Sequence, residues 1–205
     1  IVCCSYTPLF ESFSLTKRCL ANWWRFTLLR VGVHVAPTKS RRVMEQFKIL
    51  TDLRDYIKKL EVERGRVLAR PIPEGGSPIF YRQCDVPPGR ELVQGIQICD
   101  YCFSTCKKWV LPHNQMGLSF SAHWQHLKGI YKLKASKNPG KSVDVYWVLE
   151  KADLPPDLEF VKDQKDDRHY FLTVTKKMTV ETLVSKLNWV ADRMAIIKDC
   201  TRAMK

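Results

Sequence analysis

The chain has 205 residues, 45% of them hydrophobic, with 34 Lys/Arg against 21 Asp/Glu for a formal charge of +13. That apolar share is ordinary for a packed globular core and sets aside a wholly disordered chain, and the length suits one domain with a tail or two small ones. Residues 1–43 hold seven of the cations against Glu11 alone and contribute +6 of the charge. The remainder is moderately basic, compatible with anionic partners without specifying nucleic acid.

The Arg-rich, acid-poor first 43 residues begin at Ile1. Their loosely amphipathic stretch from Leu20 to Val35 is interrupted by Arg25 and Arg30, so it lacks the roughly 18–20 uninterrupted apolar residues of a membrane span. The expectation is a basic segment, disordered or non-native, ahead of a start at Met44. A targeting presequence or a structural arm are the alternatives. An intracellular, cytoplasmic protein is expected, or a mitochondrial one if the presequence is genuine.

From Met44 to about Glu63, Phe47, Leu50, Leu53, Ile57 and Leu60 recur at helical steps and predict an amphipathic helix. Val67–Ala69 reads as a short strand, Pro71–Pro78 as a loop and Ile79–Cys84 as a strand. After the Pro87-Pro88-Gly89 turn, a helix is expected over Arg90–Trp109. Cys99, Cys102 and Cys106 fall on one side of it with Leu92 and Val93. Zinc is weighed for these thiols with His113, His123 and His126, but no second ligand pair has clean spacing. A reduced, core-facing cysteine stripe is the reading preferred, and no metal is expected.

Met116–Phe120 alternates, with Met116, Leu118 and Phe120 on one face and Gly117, Ser119 and Ser121 on the other. A short helix follows over Ala122–Gly129, then a basic loop over Lys132–Lys141. Val143–Leu149 reads as a central strand and His169–Thr175 as another, separated by a proline-containing loop and a charged run. A closing helix is expected from Val180 to Cys200, with Thr179 as its N-cap. These elements make an α+β fold, a small sheet flanked by helices, over residues 44–205.

Three polar interruptions in strand-like segments are the candidate site. Arg82, following Tyr81, offers a planar fork for phosphate oxygens. Ser119 and Ser121 share a face with Gly117, whose missing side chain would let a ligand approach the backbone. His169 can donate to a ribose or pyrophosphate or act as an acid–base. Tyr81 and Phe120 are candidate stacking walls. The chain holds no Walker A loop, no G-x-G-x-x-G and no G-x-S-x-G elbow.

Tyr81-Arg82, Gly117-x-Ser119, the Leu154-Pro155-Pro156-Asp157-Leu158 loop and His169-Tyr170 before a final helix occur in an order that resembles a known family. It is the small toxin family typified by the second type VI secretion exported effector, with an ADP-ribosyltransferase-like fold and a split sheet. The resemblance spans roughly residues 78–200. It implies NAD as substrate, Arg82 at the NAD phosphates, Ser119 in the nicotinamide-ribose pocket and His169 as a cleft histidine. In the wider fold, an Arg on an early strand supports the NAD phosphates.

Two departures stand out: Leu118 replaces the Thr that precedes the family's serine, and no suitable strand carries Glu-x-Glu. Cleaving nicotinamide from NAD creates an oxocarbenium-like centre that a carboxylate normally stabilises, and Glu150 is the best-placed substitute. The expectation is therefore a monomeric enzyme that transfers ADP-ribose from NAD to a protein or nucleic acid, or hydrolyses NAD. One alternative is a basic nucleic-acid-binding module using Lys128, Lys132, Lys134, Lys137 and Lys141. Another is an RNA 2′-phosphotransferase of related fold.

Overall fold

The β-prone segments assemble into one seven-stranded sheet in the computed structural model, which describes residues 44–47 and 50–199. The expectations for residues 1–43, and for the end of the last helix at Cys200, lie outside the described residues. In chain order the elements are β1 (Met44–Phe47), α1 (Leu50–Arg64), β2 (Val67–Pro73), β3 (Leu92–Val93), β4 (Ile96–Gln97), β5 (Cys102–Phe103) and β6 (Trp109–Leu111). Then come β7 (Leu118–Ser121), α2 (Trp124–Lys137), β8 (Val143–Leu149), β9 (Leu158–Lys162), β10 (His169–Val174), β11 (Met178–Thr179), α3 (Val180–Arg193) and β12 (Ala195–Asp199). The class is α+β, and no helix among the described residues is long and apolar enough to cross a membrane.

The main sheet runs β1-β12-β8-β2-β7-β10-β9, with β1 parallel to β12 and the other pairs antiparallel. Side-chain alternation splits its residues between two faces. On one face α1 and α2 bring Leu53, Ile57, Leu60, Leu127 and Tyr131 against Val67, Ala69, Val145 and Trp147. On the other, α3 and the segment 79–111 bring Leu183, Leu187, Ile79 and Tyr101 against Leu68, Phe120, Tyr170 and Leu172.

The helix expected over Arg90–Trp109 does not form. The segment instead makes two small hairpins, because left-handed turns interrupt it: Gln94 and Gly95 have φ of +50° and +82° between β3 and β4, and Lys107 has φ of +56° between β5 and β6. The cysteine stripe disappears with the helix: Cys84, Cys99 and Cys106 are exposed and Cys102 is half-buried. Nor is Ile79–Cys84 a strand; residues 77–82 form irregular backbone and Gln83–Asp85 a 3-10 turn.

Helix α2 runs to Lys137, taking up most of the expected basic loop. Lys, Leu and Ala favour helix there, and Gly129 is tolerated at its exposed position. The charged run contributes β9, the edge strand beside β10. Thr179 caps α3 as expected, its Oγ1 accepting from the Thr182 N–H at 3.2 Å. That helix stops at Arg193, where β-prone Ile196 and Ile197 pair with Tyr146 and Val145 of β8.

Strand β2 continues through two prolines that were expected in a loop. The Glu74 N–H donates to the Ser142 carbonyl at 2.8 Å and the Glu150 N–H to the Arg66 carbonyl at 3.0 Å. Even-numbered positions thus turn their polar groups to β8, and odd-numbered ones to β7. Pro71 and Pro73 are odd-numbered and have no N–H to offer. Accordingly β2 pairs with β8 along its whole length but with β7 only at Ala69↔Ser121. Beyond Ala69 no ladder pair joins the two strands, and their pairing parts there.

Candidate functional site

Arg70 projects from β2 at this parting, on the face it shares with Phe120 and Tyr146. It is only 8% exposed. Its guanidinium lies 5.3 Å from the Phe120 ring centroid, and Nη2 donates to the Tyr81 hydroxyl at 3.2 Å. Nη1 is buried with no hydrogen-bond partner. A buried cation in this condition is costly unless something completes its bonding.

Tyr81 touches it, and two further groups feel its charge. Lys134 comes from α2, where burial holds its ammonium below the ordinary lysine range, with the charges of Arg70 and Lys137 adding to the effect and Asp85 opposing it. Asp100 lies between β4 and β5 with its Oδ2 buried and unpartnered. Burial raises its carboxyl above the ordinary range against the pull of Arg70 and Arg90. Tyr81, half-buried, is set by its N–H donating to the Gly95 carbonyl at 2.8 Å, so the β3–β4 hairpin fixes the tyrosine beside Arg70.

The expected site residues are distributed as follows. Tyr81 and Phe120 meet at Arg70, but Phe120 is 1% exposed and edge-on to Phe160 at 5.2 Å, so it backs the arginine and is closed to a stacking ligand. Arg82 is on the outer rim with a 60% exposed side chain, paired with Asp85 at 2.6 and 3.0 Å. Ser119 is exposed on the opposite sheet face, beside the stretch where β2 and β7 have parted. Glu150 follows β8 directly and lies 3.6 Å from Arg66, which donates to the Tyr170 hydroxyl. Four residue steps, about 13 Å of extended chain, separate it from Tyr146, the partner of Arg70.

Ser121 and His169 are a cross-strand pair on the α2 face. The Ser121 hydroxyl and His126 Nδ1 share a hydrogen bond of 2.8 Å, the His126 and His169 rings are 5.5 Å apart, and His169 Nδ1 lies 2.9 Å from Asp163 Oδ2. Burial and the neighbouring His169 hold the His126 imidazole below its ordinary range, Arg168 adding to this and Asp166 opposing. The chain Ser121–His126–His169–Asp163 fastens α2 to β7 and β10. It faces away from Arg70.

Gly117 does not open the site either, because a Cβ there would meet the Leu172 carbonyl oxygen at 2.3 Å. Its missing side chain makes room for the backbone of β10. Asp157, in the Pro-Pro-Asp-Leu loop, adopts φ of +66° and ties that loop to Lys186 at 3.1 Å and Lys176 at 3.3 Å. The residues 162–168 curl around a separate hollow of about 640 Å³, where Arg168 and Asp166 neutralise one another at 2.8 Å.

Arg70, Lys134 and Asp100 are absent from the expected site. Arg70 carries the same signal as Arg82, Ser119 and His169, a polar group inside an apolar run, here Val67-Leu68-Ala69-Arg70-Pro71-Ile72. The others depend on elements that sequence periodicity assigns differently. No known protein family, curated protein or solved structure matches this chain.

Proposed function

We propose that the parting of β2 and β7 is the mouth of an NAD cleft, and that the protein cleaves NAD and transfers ADP-ribose to a macromolecule or to water. The observation that carries this reading is Arg70: a guanidinium more than nine-tenths buried, with Nη1 unpartnered and Lys134 as a second cation nearby. A buried cation with a second cation in electrostatic reach favours a pyrophosphate, whose oxygens would satisfy the free N–H groups. Arg70 takes the phosphate-holding role that the family resemblance suggested for Arg82, and Arg82 remains on the rim.

Tyr81 supplies the half-open aromatic wall, and Ser119 lines the far side of the gap. In the reaction the bond between nicotinamide and ribose breaks, the pair of electrons leaves with nicotinamide, the acceptor's lone pair closes on the anomeric carbon, and the acceptor's proton passes to solvent. Preorganised charge at the pyrophosphate fixes the substrate for that step. His169, held by Asp163, keeps α2 and with it Lys134 in place.

The test is nicotinamide release from NAD by the full chain, with Arg70→Lys and Arg82→Ala beside it. Release that drops about a hundredfold in Arg70→Lys and little in Arg82→Ala is expected, since a lysine lacks the bidentate fork. No release and no NAD binding by the parent protein would overturn the reading.

The second reading, a nucleic-acid-binding surface, is favoured by one feature. Helix α2 carries Lys128, Lys132, Lys134 and Lys137 with no acidic residue. Salt-sensitive binding of RNA or DNA that survives Arg70→Lys would support it.

A further inference from the structure

The core under α1 and α2 takes in residues of β2, β8 and β12 but none of β7, β9 or β10 among the described residues. On that side Ser119 is exposed, and Phe171, His126 and His169 are half-buried, so this half of the sheet face meets solvent. Ser121 and His169 are a cross-strand pair there. The Ala122 N–H donates to the Arg168 carbonyl at 2.8 Å, which makes 121↔169 a non-hydrogen-bonded pair, the kind whose side chains stand closest.

His126 comes from α2 onto the same spot, its ring 5.5 Å from that of His169. Each imidazole is anchored through Nδ1, His126 to the Ser121 hydroxyl at 2.8 Å and His169 to Asp163 at 2.9 Å. Phe171 meets the His169 ring edge-on at 4.5 Å. Both Nε2 atoms lack a hydrogen-bond partner among the described residues, and neither is closed to solvent. Fastening α2 uses only the Nδ1 sides.

Such a pair suits a reaction in which one atom loses a proton while a neighbouring atom gains one. With its Nδ1–H donating to Ser121, His126 has a lone pair at Nε2. Burial and the neighbouring His169 favour this neutral form. Beside His169, the Asp163 carboxylate offers a counter-charge to a ring that carries both protons. Rings 5.5 Å apart span a single phosphodiester, its attacking oxygen about 3 Å from one nitrogen and its leaving oxygen about 3 Å from the other.

The surroundings favour that anion. Asp163 also lines the hollow formed by residues 162–168, where Lys162 and Lys165 have no carboxylate partner among the described residues. Helix α2, which carries His126, has four lysines and no acidic residue. Ser121 is only 4% exposed, so the nucleophile has to come with the substrate, as a ribose 2′-hydroxyl does.

We propose that His126 and His169 form a second active site that cleaves RNA by acid–base catalysis, with Ser121 and Asp163 as positioning residues. His126 Nε2 takes the proton of a ribose 2′-hydroxyl as that oxygen's lone pair bonds to the adjacent phosphorus. The bond from phosphorus to the 5′ oxygen breaks, its electron pair leaves with that oxygen, and His169 Nε2 supplies the proton. The products are a 2′,3′-cyclic phosphate and a free 5′-hydroxyl, and proton exchange with solvent resets both rings. The inference does not rest on NAD cleavage, because the pair lies on the sheet face opposite Arg70.

The experiment follows cleavage of uridylyl-3′,5′-adenosine, its 2′-deoxy analogue and uridine 3′-(4-nitrophenyl phosphate) by the full chain. The parent should release adenosine and uridine 2′,3′-cyclic phosphate from the dinucleotide and leave the deoxy analogue intact. His126→Asn, which keeps a bond to Ser121, should slow both ribose substrates about a hundredfold or more, the range for one general base. His169→Gln should slow the dinucleotide about as much but the nitrophenyl ester less than about threefold, because nitrophenolate departs without a proton. A merely structural histidine would slow both substrates alike.

No cleavage by the parent overturns the inference, as does a parent-like rate on the dinucleotide in either variant. Equal losses on both ribose substrates in His169→Gln overturn it too. If His126→Asn does not melt cooperatively, His126→Gln takes its place with the same expectation. The substrate split without nicotinamide release would remove the NAD reading and leave this site standing.

Discussion

Gly117 lies so close against Leu172 that a Cβ on the glycine would come within 2.3 Å of the leucine carbonyl oxygen and 2.7 Å of its carbon. The neighbours Leu118 and Leu172 are register partners between β7 and β10, so neither strand can shift without disturbing the ladder. Gly117→Ala should therefore destabilise the fold by about 2–4 kcal/mol, the upper range for a single substitution, because the clash is with backbone. Urea denaturation measures this directly. A variant as stable as the parent but weaker for ADP would instead mean that the glycine serves ligand approach.

The same residue shows what the sequence makes legible. Alternation from Met116 to Ser121 predicted β7 and its faces, and burial of Leu118 and Phe120 with exposure of Ser119 agrees. Alternation cannot reveal which strand lies alongside, so it could not tell a glycine shaped by β10 from one shaped by a ligand. Helix α3 was legible for a similar local reason, with Thr179 at its cap and Leu183, Leu187 and Val190 at helical spacing. The segment 90–109 was not, since apolar residues at steps of three and four also fit short hairpins once left-handed turns intervene. Arg70 is masked in the sequence because Pro71 and Pro73 resemble loop punctuation. Only the pairing with β8 makes them strand residues.

Arg70 itself should trade stability for binding. Its unpartnered Nη1 costs about 1–3 kcal/mol in the empty protein, whereas methionine would keep the volume packed against Phe120 without that penalty. Arg70→Met should be as stable as the parent or more so, and should lose ADP and pyrophosphate binding. Thermal melting alongside binding checks both halves. A stability loss above about 2 kcal/mol would mark the arginine as a structural member of the core.

The pH dependence of stability should show two windows. His126 has its folded-state pKa held below the ordinary imidazole value by burial and by His169. Below about pH 6.5 the unfolded chain therefore takes up a proton that the folded chain refuses. Stability from this source is complete above that pH and declines as the pH falls through it. Asp163 is held low chiefly by the Lys165 backbone N–H, and Asp166 by the Arg168 guanidinium. Their contribution is present above about pH 4 and fades below it. His126→Asn, which still offers Ser121 a hydrogen bond, should flatten the melting-temperature curve between pH 7 and 5 and leave the acid limb intact. Superimposable curves for variant and parent would refute the assignment.

Pro71 and Pro73 offer a direct test of why the sheet parts. Replacing both with valine supplies two N–H groups aimed at β7, each worth about 0.5–1.5 kcal/mol if it pairs. Each replacement also gives the unfolded chain back about 0.4–1 kcal/mol of conformational freedom. Net stability should change little, so the melting temperature is the wrong readout. Hydrogen exchange is the right one: if the missing donors hold the strands apart, both new amides should be protected as the gap beyond Ala69 closes. ADP binding should weaken at the same time, because the closing ladder narrows the approach to Arg70. Rapid exchange at positions 71 and 73 would show instead that side chains at the gap, with Lys134 and Tyr81 first among them, keep β2 and β7 apart.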